Sequence, residues 1–314
     1  IRAEEDRRYV IPSAPGKRFS GDTKVTDMLY ECYRAAEEGE DFKGMLKNIK
    51  ARYDEIIAGL GLTLSLESEF KTIESDFKKH VGENYAASRG EYLNGIIMAD
   101  YLGHAFIDAA KVIFFKEDGT WDEENTRKKM EEELSKHDKA VIPGFYGSLP
   151  NKTVKTFSRG GSDVTGSIIA NAVNAEIYEN WTDVSGFLVA DPRIVENPEA
   201  IETITYRELR ELAYMGASVL HEDAIFPVRS AGIPINIRNT NRPEDAGTMI
   251  VSNDYDFSHE SLGHTITGIA GKKGFSTINI EKAMMNNELG FGMKVLNVLY
   301  QNGISFEHMP SGID

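Results

Sequence analysis

The segment TFSRGGSDVTGS carries the side chains best suited to holding an anion. A strand-like run precedes it and a helix-like run follows, which predicts that the segment forms the N-terminus of a helix. Gly160 and Gly161 let the backbone approach a ligand closely, while Ser162 or Asp163 can cap the helix. Arg159 offers a planar fork for a carboxylate or a phosphate. An anion-binding turn and an ordinary capped turn with a surface arginine both fit these residues.

A second segment, SRGEYLNG, places the carboxylate of Glu91 on a predicted helix. Tyr92, Ile96 and Tyr101 give the surrounding helix face an apolar character. A partly buried acid needs a cation, such as a substrate ammonium or an arginine. The alternative interpretation is an exposed helix glutamate without a ligand.

Two further segments follow predicted strands. WTDVSGFLVADPR has the groups needed to hold an adenine nucleotide and its metal, namely Trp181, Thr182, Asp183, Gly186, Asp191 and Arg193. The tripeptide D-P-R is equally a common way to start a turn. PSAPGK, from Pro12 to Lys17, ends the first strand, and open α/β sheets bind ligands at the carboxyl ends of their strands. A simple strand-to-helix turn is the alternative there.

Several common catalytic motifs are missing from the sequence. It contains no G-x-x-x-x-G-K-[ST], and no G-x-G-x-x-G opens a helix after a strand. No His-E-x-x-His motif and no pair of cysteines is present, which removes the common zinc sites. No G-x-S-x-G precedes a helix, so a serine nucleophile is disfavoured.

The composition is that of a globular protein with a sizeable core. Of the 314 residues, 41% are hydrophobic and 27% are charged. The formal net charge of -15 argues against nucleic acid or an anionic membrane surface as the main partner. The single cysteine, Cys32, cannot form an internal disulfide, and no apolar run approaches the roughly 20 residues of a membrane span. We therefore expect a cytoplasmic protein.

Strand-like and helix-like runs alternate along most of the chain, which predicts an α/β fold with a mainly parallel central sheet. Strands are expected in RYVIP, AKVIFF, KAVIPGF and IPINIRN. Helical spacing of apolar residues begins near Asp22 and recurs in residues 42–60, 66–80 and 84–102. The chain opens as the end of a helix that runs into a strand, so we expect further residues before Ile1.

The segment TNRPEDAGTMI has the composition of a connecting loop, which divides the chain into two predicted domains. The first covers residues 1–248 and the second covers residues 249–314. The second holds the strand-like runs HTITGIAG, FSTINIEK and ISFEHM around a helix from Phe291 to Gln301. Such a small unit has little core of its own and an open sheet edge, which predicts an incomplete module that pairs with a second copy.

In this order, the segments resemble the aspartate kinases of the amino-acid kinase family. The matching segments are PSAPG, KVTDML, SRGE, SRGGSD, WTDVSGFLVADPR, MGASVLH and GIPINIRNT, which together span nearly the whole chain. The resemblance implies a three-layer αβα sandwich followed by part of an ACT-type regulatory module. It also implies transfer of the γ-phosphoryl group of Mg-ATP to the side-chain carboxylate of L-aspartate. The product, 4-phospho-L-aspartate, begins the synthesis of lysine, threonine and methionine.

The resemblance further implies roles for individual residues. Glu91 would hold the substrate ammonium and Arg159 its α-carboxylate, with Arg159 and Asp163 as the catalytic pair. The other substrate-binding residues would be Thr26, Gly160, Gly161 and Ser162. ATP with its Mg²⁺ would be held by Ser13, Gly16, Thr182, Asp183, Asp191 and Arg193. A feedback amino acid, lysine or threonine, would bind at Met285, Glu288, Gly290 and Phe291 in a homodimer formed by the ACT modules.

The sequence departs from the family pattern in several places. The family's first strand, Lys-Phe-Gly-Gly, is not in this sequence, so we expect activity only if that strand precedes Ile1. Ser218 stands where many members have lysine, and Glu222 stands where many have proline. These departures leave two alternatives open: a non-catalytic amino-acid sensor with a degenerate kinase domain, or a family member with a different acid substrate.

Overall fold

The computed structural model divides the chain into two compact units, Ile1–Gly271 and Lys272–Asp314. The residues that it describes are 1–2, 4–158, 160–214, 220, 222–259, 266–271 and 273–310. Within them, no helix is both long enough and apolar enough to cross a membrane.

Four helices form a helical core in the first unit: α1 (Val25–Glu37), α2 (Lys43–Gly59), α3 (Glu67–Lys78) and α4 (Glu83–Leu102). On α1, the buried residues Val25, Leu29, Cys32 and Ala36 recur every three or four positions, as the sequence predicts. α4 differs because buried residues occur around most of its circumference. It ends at Gly103, whose φ of 70° is the left-handed conformation typical of a helix end.

A three-stranded parallel sheet packs beside these helices. Its strands are β1 (Tyr9–Val10), β2 (Ala105–Phe106) and β3 (Ala140–Val141), in the order β1-β3-β2. The helix α5 (Glu123–Leu134) precedes β3 and is capped by Asp122, which accepts a hydrogen bond from Asn125 N at 3.2 Å. Because all three strands are parallel, the segments after β1 and β3 leave the sheet at the same edge.

The strand predicted in AKVIFF is wrong over most of its length, since only Phe114 and Phe115 of this run make β-bridges, to Ser148 and Trp121. Ala109–Lys111 forms a 3₁₀ turn, and the strand of this region lies earlier, at β2. The cause is Asp108, whose Oδ1 accepts a hydrogen bond from Ala110 N at 3.1 Å and so caps a turn where an extended run was expected.

The rest of the first unit contains a hairpin, three helices and a four-stranded sheet. The elements are β4 (Tyr146–Ser148), β5 (Val154–Thr156), α6 (Gly161–Ala172), β6 (Tyr178–Thr182), β7 (Thr203–Thr205), α7 (Tyr206–Tyr214), α8 (Glu222–Ala231), β8 (Ile235–Asn239) and β9 (Thr248–Val251). The sheet order is β6-β8-β9-β7, and only the β8–β9 pair among its described strands is antiparallel. The predicted α/β class with a mainly parallel sheet is confirmed.

The end of the segment predicted as a connecting loop is instead β9. β9 pairs with both β7 and β8, so it belongs to the sheet of the first unit. We placed the domain boundary after residue 248, whereas the compact units meet after Gly271. The assignment of a catalytic and a regulatory role to the two parts stays a prediction.

The second unit contains a 3₁₀ turn, Met285–Asn287, and the helix α9 (Phe291–Gln301). The runs FSTINIEK and ISFEHM, which we predicted as strands, are irregular, and no residue of α9 is buried. Among the described residues, neither run pairs with a neighbouring strand, and a strand needs such pairing to persist.

Candidate functional site

Glu91 is a buried carboxylate near the middle of α4, with only 6% of its surface exposed. Ala14 N donates a hydrogen bond to its carboxylate, while Oε2 has no hydrogen-bond partner among the described residues. Burial raises the pKa of Glu91 to about 7, although the hydrogen bond from Ala14 favours the ionised form. The charge of Arg89 also opposes the rise in pKa, but no ion pair joins Glu91 to a cation among the described residues, so the side chain is a desolvated acid.

The turn after β1 lies directly against this part of α4. A Cβ added at Gly90 would be 2.8 Å from Ala14 Cβ and 3.7 Å from Thr26 Oγ1, so helix and turn are in close contact. Asn94 Nδ2 donates to Ser13 O at 2.7 Å and holds the turn from the next helical turn of α4. Ser13, Thr26 and Glu91, which are far apart in the sequence, thus lie together.

Arg52 of α2 holds the later part of the segment after β1 through hydrogen bonds. Arg52 donates hydrogen bonds to Thr23 O at 2.6 Å and to Gly16 O, and its guanidinium lies 3.0 Å from Asp22. Only 5% of its side chain is exposed. The predicted phosphate-binding loop at Ser13 and Gly16 is therefore positioned by an arginine that sequence reasoning missed.

The start of α6 is the segment that opened the sequence analysis. Gly160 and Gly161 have φ values of 69° and 36°, so the chain enters the helix through two left-handed residues. A Cβ at Gly144, just after β3, would be 2.6 Å from Ser162 Cα, and Gly144 N donates to Pro12 O at 3.3 Å. The start of α6 therefore lies at the edge where β1 and β3 end.

Asp163, in the first turn of α6, points toward the neighbouring sheet. Its Oδ1 accepts a hydrogen bond from Asn180 Nδ2 on β6 at 2.8 Å. Burial raises the pKa of Asp163, and the hydrogen bond from Asn180 opposes that rise. Arg159, the other predicted catalytic residue, lies outside the described residues, so its role stays a prediction.

The predicted nucleotide-binding residues at the end of β6 and in the following turn are more exposed than Glu91. Thr182 Oγ1 donates to Asp183 Oδ1 at 3.2 Å. Arg193 forms an ion pair with Asp191 at 2.6 Å, and 86% of the Arg193 side chain is exposed. The structure brings Thr182 and Asp183 to the end of the strand that carries Asn180, whereas Asp191 and Arg193 hydrogen-bond to each other. Their roles in binding ATP stay predictions.

The four predicted regulatory residues lie close together in the second unit. Glu288 forms ion pairs with Lys282 and Lys294, and the Lys282 ammonium lies 5.4 Å from the centre of the Phe291 ring. Gly290 caps α9 with a φ of 75°. Met285 begins the preceding 3₁₀ turn, and the regulatory role of this group stays a prediction.

Two other sequence features fall wholly or mostly outside the described residues. Of the segment MGASVLH, only residue 220 is described. Ser218, which belongs to this segment, is not described either.

Four supporting residues escaped sequence reasoning: Arg52, Asn94, Gly144 and Asn180. Weak signals existed for three of them. Asn94 is part of SRGEYLNG, Asn180 comes directly before WTDVSG, and Gly144 follows proline at the end of the KAVI strand. No local signal distinguishes Arg52 from other arginines on a helix, because its partners in the loop are distant in sequence.

Comparisons with known proteins agree with this architecture. The profile of the amino acid kinase family matches residues 19–239. Aspartokinase 3 of Bacillus subtilis is 37% identical over 100% of this chain and 71% of its own length. The chloroplastic aspartokinase 1 of Arabidopsis thaliana is 33% identical over 54% of this chain and 30% of its own length.

Solved structures extend the likeness to three dimensions. The crystal structure of Clostridium acetobutylicum aspartate kinase is 54% identical, with a TM-score of 0.92, over 100% of this chain and 71% of that one. E. coli aspartokinase III in complex with aspartate and ADP is 24% identical, with a TM-score of 0.68, over 81% of this chain and 60% of that one, a likeness of fold alone. The chain belongs to the amino acid kinase family, and the two relatives named above are aspartokinases.

Proposed function

We propose that this protein is an aspartate kinase, which transfers the γ-phosphoryl group of ATP to the side-chain carboxylate of L-aspartate. The products are 4-phospho-L-aspartate and ADP. The match to an aspartokinase over the whole of this chain and the match to an aspartate kinase structure at 54% identity support this activity. These relatives do not favour a non-catalytic sensor.

The observation that carries the proposal is the buried Glu91. Its Oε2 has no hydrogen-bond partner among the described residues, and burial raises its pKa to about 7. A buried carboxylate of this kind is stabilised by a cation, and the α-ammonium of aspartate supplies one.

The proposed reaction needs little covalent help from the protein. The ionised side-chain carboxylate of aspartate attacks the γ-phosphorus, forming one O–P bond while the bond to the β–γ bridging oxygen of ATP breaks. No proton needs to be removed from the nucleophile. Catalysis then consists of aligning the two substrates and neutralising charge. Asp163, at the start of α6, is our catalytic residue on this side, with Arg159 holding the α-carboxylate.

The nucleotide side of the proposal rests on the segments after β1 and β6. Ser13 and Gly16 would border the phosphates, and Thr182 with Asp183 would lie beside them at the end of β6. Asp191 and Arg193 would contact the nucleotide from the following turn. Mg²⁺ arrives bound to ATP as part of that co-substrate.

We extend the proposal to regulation and cellular role. E. coli aspartokinase III, which shares only its fold with this chain, has been solved with lysine and aspartate. We assign lysine or threonine binding to the second unit, at Met285, Glu288, Gly290 and Phe291, and homodimer formation to the ACT modules. The reaction would begin lysine, threonine and methionine synthesis in the cytoplasm, where the lone buried Cys32 would stay reduced.

The activity is tested by coupled ADP release with the full-length natural protein and aspartate, glutamate, uridylate or carbamate as acceptors. We expect turnover with aspartate alone. Turnover with another acceptor but not with aspartate would refute the substrate assignment and leave only the family. An Arg159→Ala variant should lose about 2 kcal/mol or more of aspartate affinity, and unchanged aspartate kinetics would refute the role given to Arg159.

A further inference from the structure

Asn180 is a buried amide in the middle of β6 that contacts Asp163 both directly and through Tyr178. Its Nδ2 donates to Asp163 Oδ1 at 2.8 Å and to Tyr178 Oη at 3.1 Å. Tyr178 Oη in turn donates to the backbone oxygen of Asp163 at 3.2 Å. The two β6 residues therefore hold both the carboxylate and the main chain of Asp163.

This arrangement depends on a close approach between α6 and β6. A Cβ at Gly166, one turn after Asp163, would lie 2.7 Å from Tyr178 Oη. Tyr178 therefore fits beneath the first turn of α6 only because residue 166 has no side chain. The three side chains and the glycine form a small, specific assembly at the start of the helix.

We infer that Asn180 is a positioning residue for phosphoryl transfer, holding the Asp163 carboxylate in one orientation through its amide. The inference rests on the proposed function, because Asp163 acts in catalysis only if the protein is a kinase. It adds a residue on the sheet to a substrate side otherwise built from α4, α6 and the turn after β1.

The chemistry of the amide explains why asparagine suits this place. Nδ2 carries only donors, so it stabilises an ionised carboxylate and does not compete for a proton. Among the described residues, Tyr178 is the titratable group that contacts Asp163, and burial raises its pKa, so it stays neutral. Arg159, one residue before Gly160, is a charged neighbour in sequence that lies outside the described residues.

The chain offers a matched control on the adjacent strand. Asn236 of β8 is as buried as Asn180, with both 8% exposed, and it pairs with Glu179 of β6 in the sheet. Its Nδ2 contacts Met249 Sδ, and it makes no hydrogen bond to Asp163. Replacing either asparagine by leucine removes a buried amide from the same sheet, but only one replacement touches Asp163.

The first test compares Asn180→Leu with Asn236→Leu in the full-length protein. We expect Asn180→Leu to lower kcat at least about tenfold while the KM values for aspartate and ATP change less than about threefold. Asn236→Leu should leave kcat within about twofold, even if its melting temperature falls equally. Equal kcat values in the two variants would show that Asn180 is only structural and would overturn the inference.

The second test does not depend on activity. The carboxyl carbon of Asp163 is followed by ¹³C NMR against pH, with its signal assigned by its loss in Asp163→Asn. We expect the pKa of Asp163 to be higher in Asn180→Leu than in wild type, because the amide donor that favours the ionised carboxylate is gone, and unchanged in Asn236→Leu. If wild type transfers nothing to aspartate, the proposed function fails, and this titration still decides whether Asn180 controls Asp163.

A third variant covers the case in which Asn180→Leu does not fold. Tyr178→Phe keeps the ring beneath Gly166 and removes only the hydroxyl. We expect a several-fold fall in kcat with KM unchanged. Wild-type kcat together with a wild-type Asp163 titration would contradict the inference.

Discussion

Two acidic regions of the proposed active site, at Glu91 and at Asp191, differ in the burial and the ionic partners of their carboxylates. Glu91 is 6% exposed and its Oε2 has no partner among the described residues, whereas Asp191 is closed by an ion pair with the solvent-exposed Arg193. The pKa of Glu91 is raised by burial to about 7, and the pKa of Asp191 is lowered by Arg193 to about 2. The buried Glu91 carboxylate has one oxygen without a hydrogen-bond partner among the described residues, whereas the Asp191 carboxylate is already paired with Arg193.

This difference indicates where selectivity resides. A desolvated carboxylate gains strongly from a matching cation and rejects ligands that lack one, because the buried charge would stay unpaired. An exposed pair is screened by water and salt and contributes little. We therefore expect aspartate recognition to depend on the buried region, and we expect the fold to lose little stability when the Arg193–Asp191 ion pair is removed.

The largest effect should follow from removing the charge of Glu91. Glu91→Gln should lower kcat/KM for aspartate by about a thousandfold, or about 4 kcal/mol, because the substrate ammonium would lose a buried ionic partner. Steady-state kinetics at pH 8 provide the measurement. The matched control is Glu83→Gln, an exposed glutamate at the start of the same helix, which should change kcat/KM less than about twofold. Similar losses of kcat/KM in both variants would show that the burial of Glu91 does not set its role in aspartate binding.

The same variant should stabilise the ligand-free protein at high pH. Because folding raises the pKa of Glu91 from 4.5 to about 7, the folded chain binds a proton more tightly than the unfolded chain. The free energy of unfolding therefore falls as pH rises through this window and levels off above it. Glutamine stays neutral, so Glu91→Gln should gain about 3 kcal/mol at pH 8 and almost nothing at pH 4.5. Urea unfolding at the two pH values measures this, and a gain independent of pH would contradict it.

A smaller effect should follow from filling the contact between α4 and the turn after β1. Gly90→Ala places a Cβ 2.8 Å from Ala14 Cβ, which should cost about 2 kcal/mol of stability and raise the KM for aspartate. Thermal unfolding and kinetics measure the two effects. Gly44→Ala in α2 is the control, since nothing lies within 4 Å of its added Cβ. A Gly90→Ala protein with wild-type KM would show that the turn is not part of the site.

The smallest effect is expected at the exposed turn. Arg193→Ala removes the ion pair with Asp191 and should shift the melting temperature by less than about 1 °C, because a solvent-exposed pair contributes little. Its KM for ATP should rise several-fold if Arg193 contacts the nucleotide. A large loss of stability would mean that the exposed Asp191–Arg193 pair contributes to the fold as much as a buried ion pair does.

Much of the fold could be predicted from local patterns. Apolar spacing located α1 to α4 to within a few residues, because helix burial repeats along one stretch of chain. It failed at β2 and β9, where a cap at Asp108 and pairing with distant strands decided the conformation. It also failed in the second unit, where the described runs with strand-like patterns do not pair with another strand.

The amino-acid sequence by itself determined the family, the proposed substrate and most of the candidate residues, because these depend on the order and identity of short segments. Only the tertiary structure decided that Glu91 is buried, that Arg52 holds Gly16, and that Asn180 binds Asp163. Each of these contacts joins residues from different elements. The energy of each contact depends on which polar groups are buried next to each other, and the packing of the elements determines which groups those are.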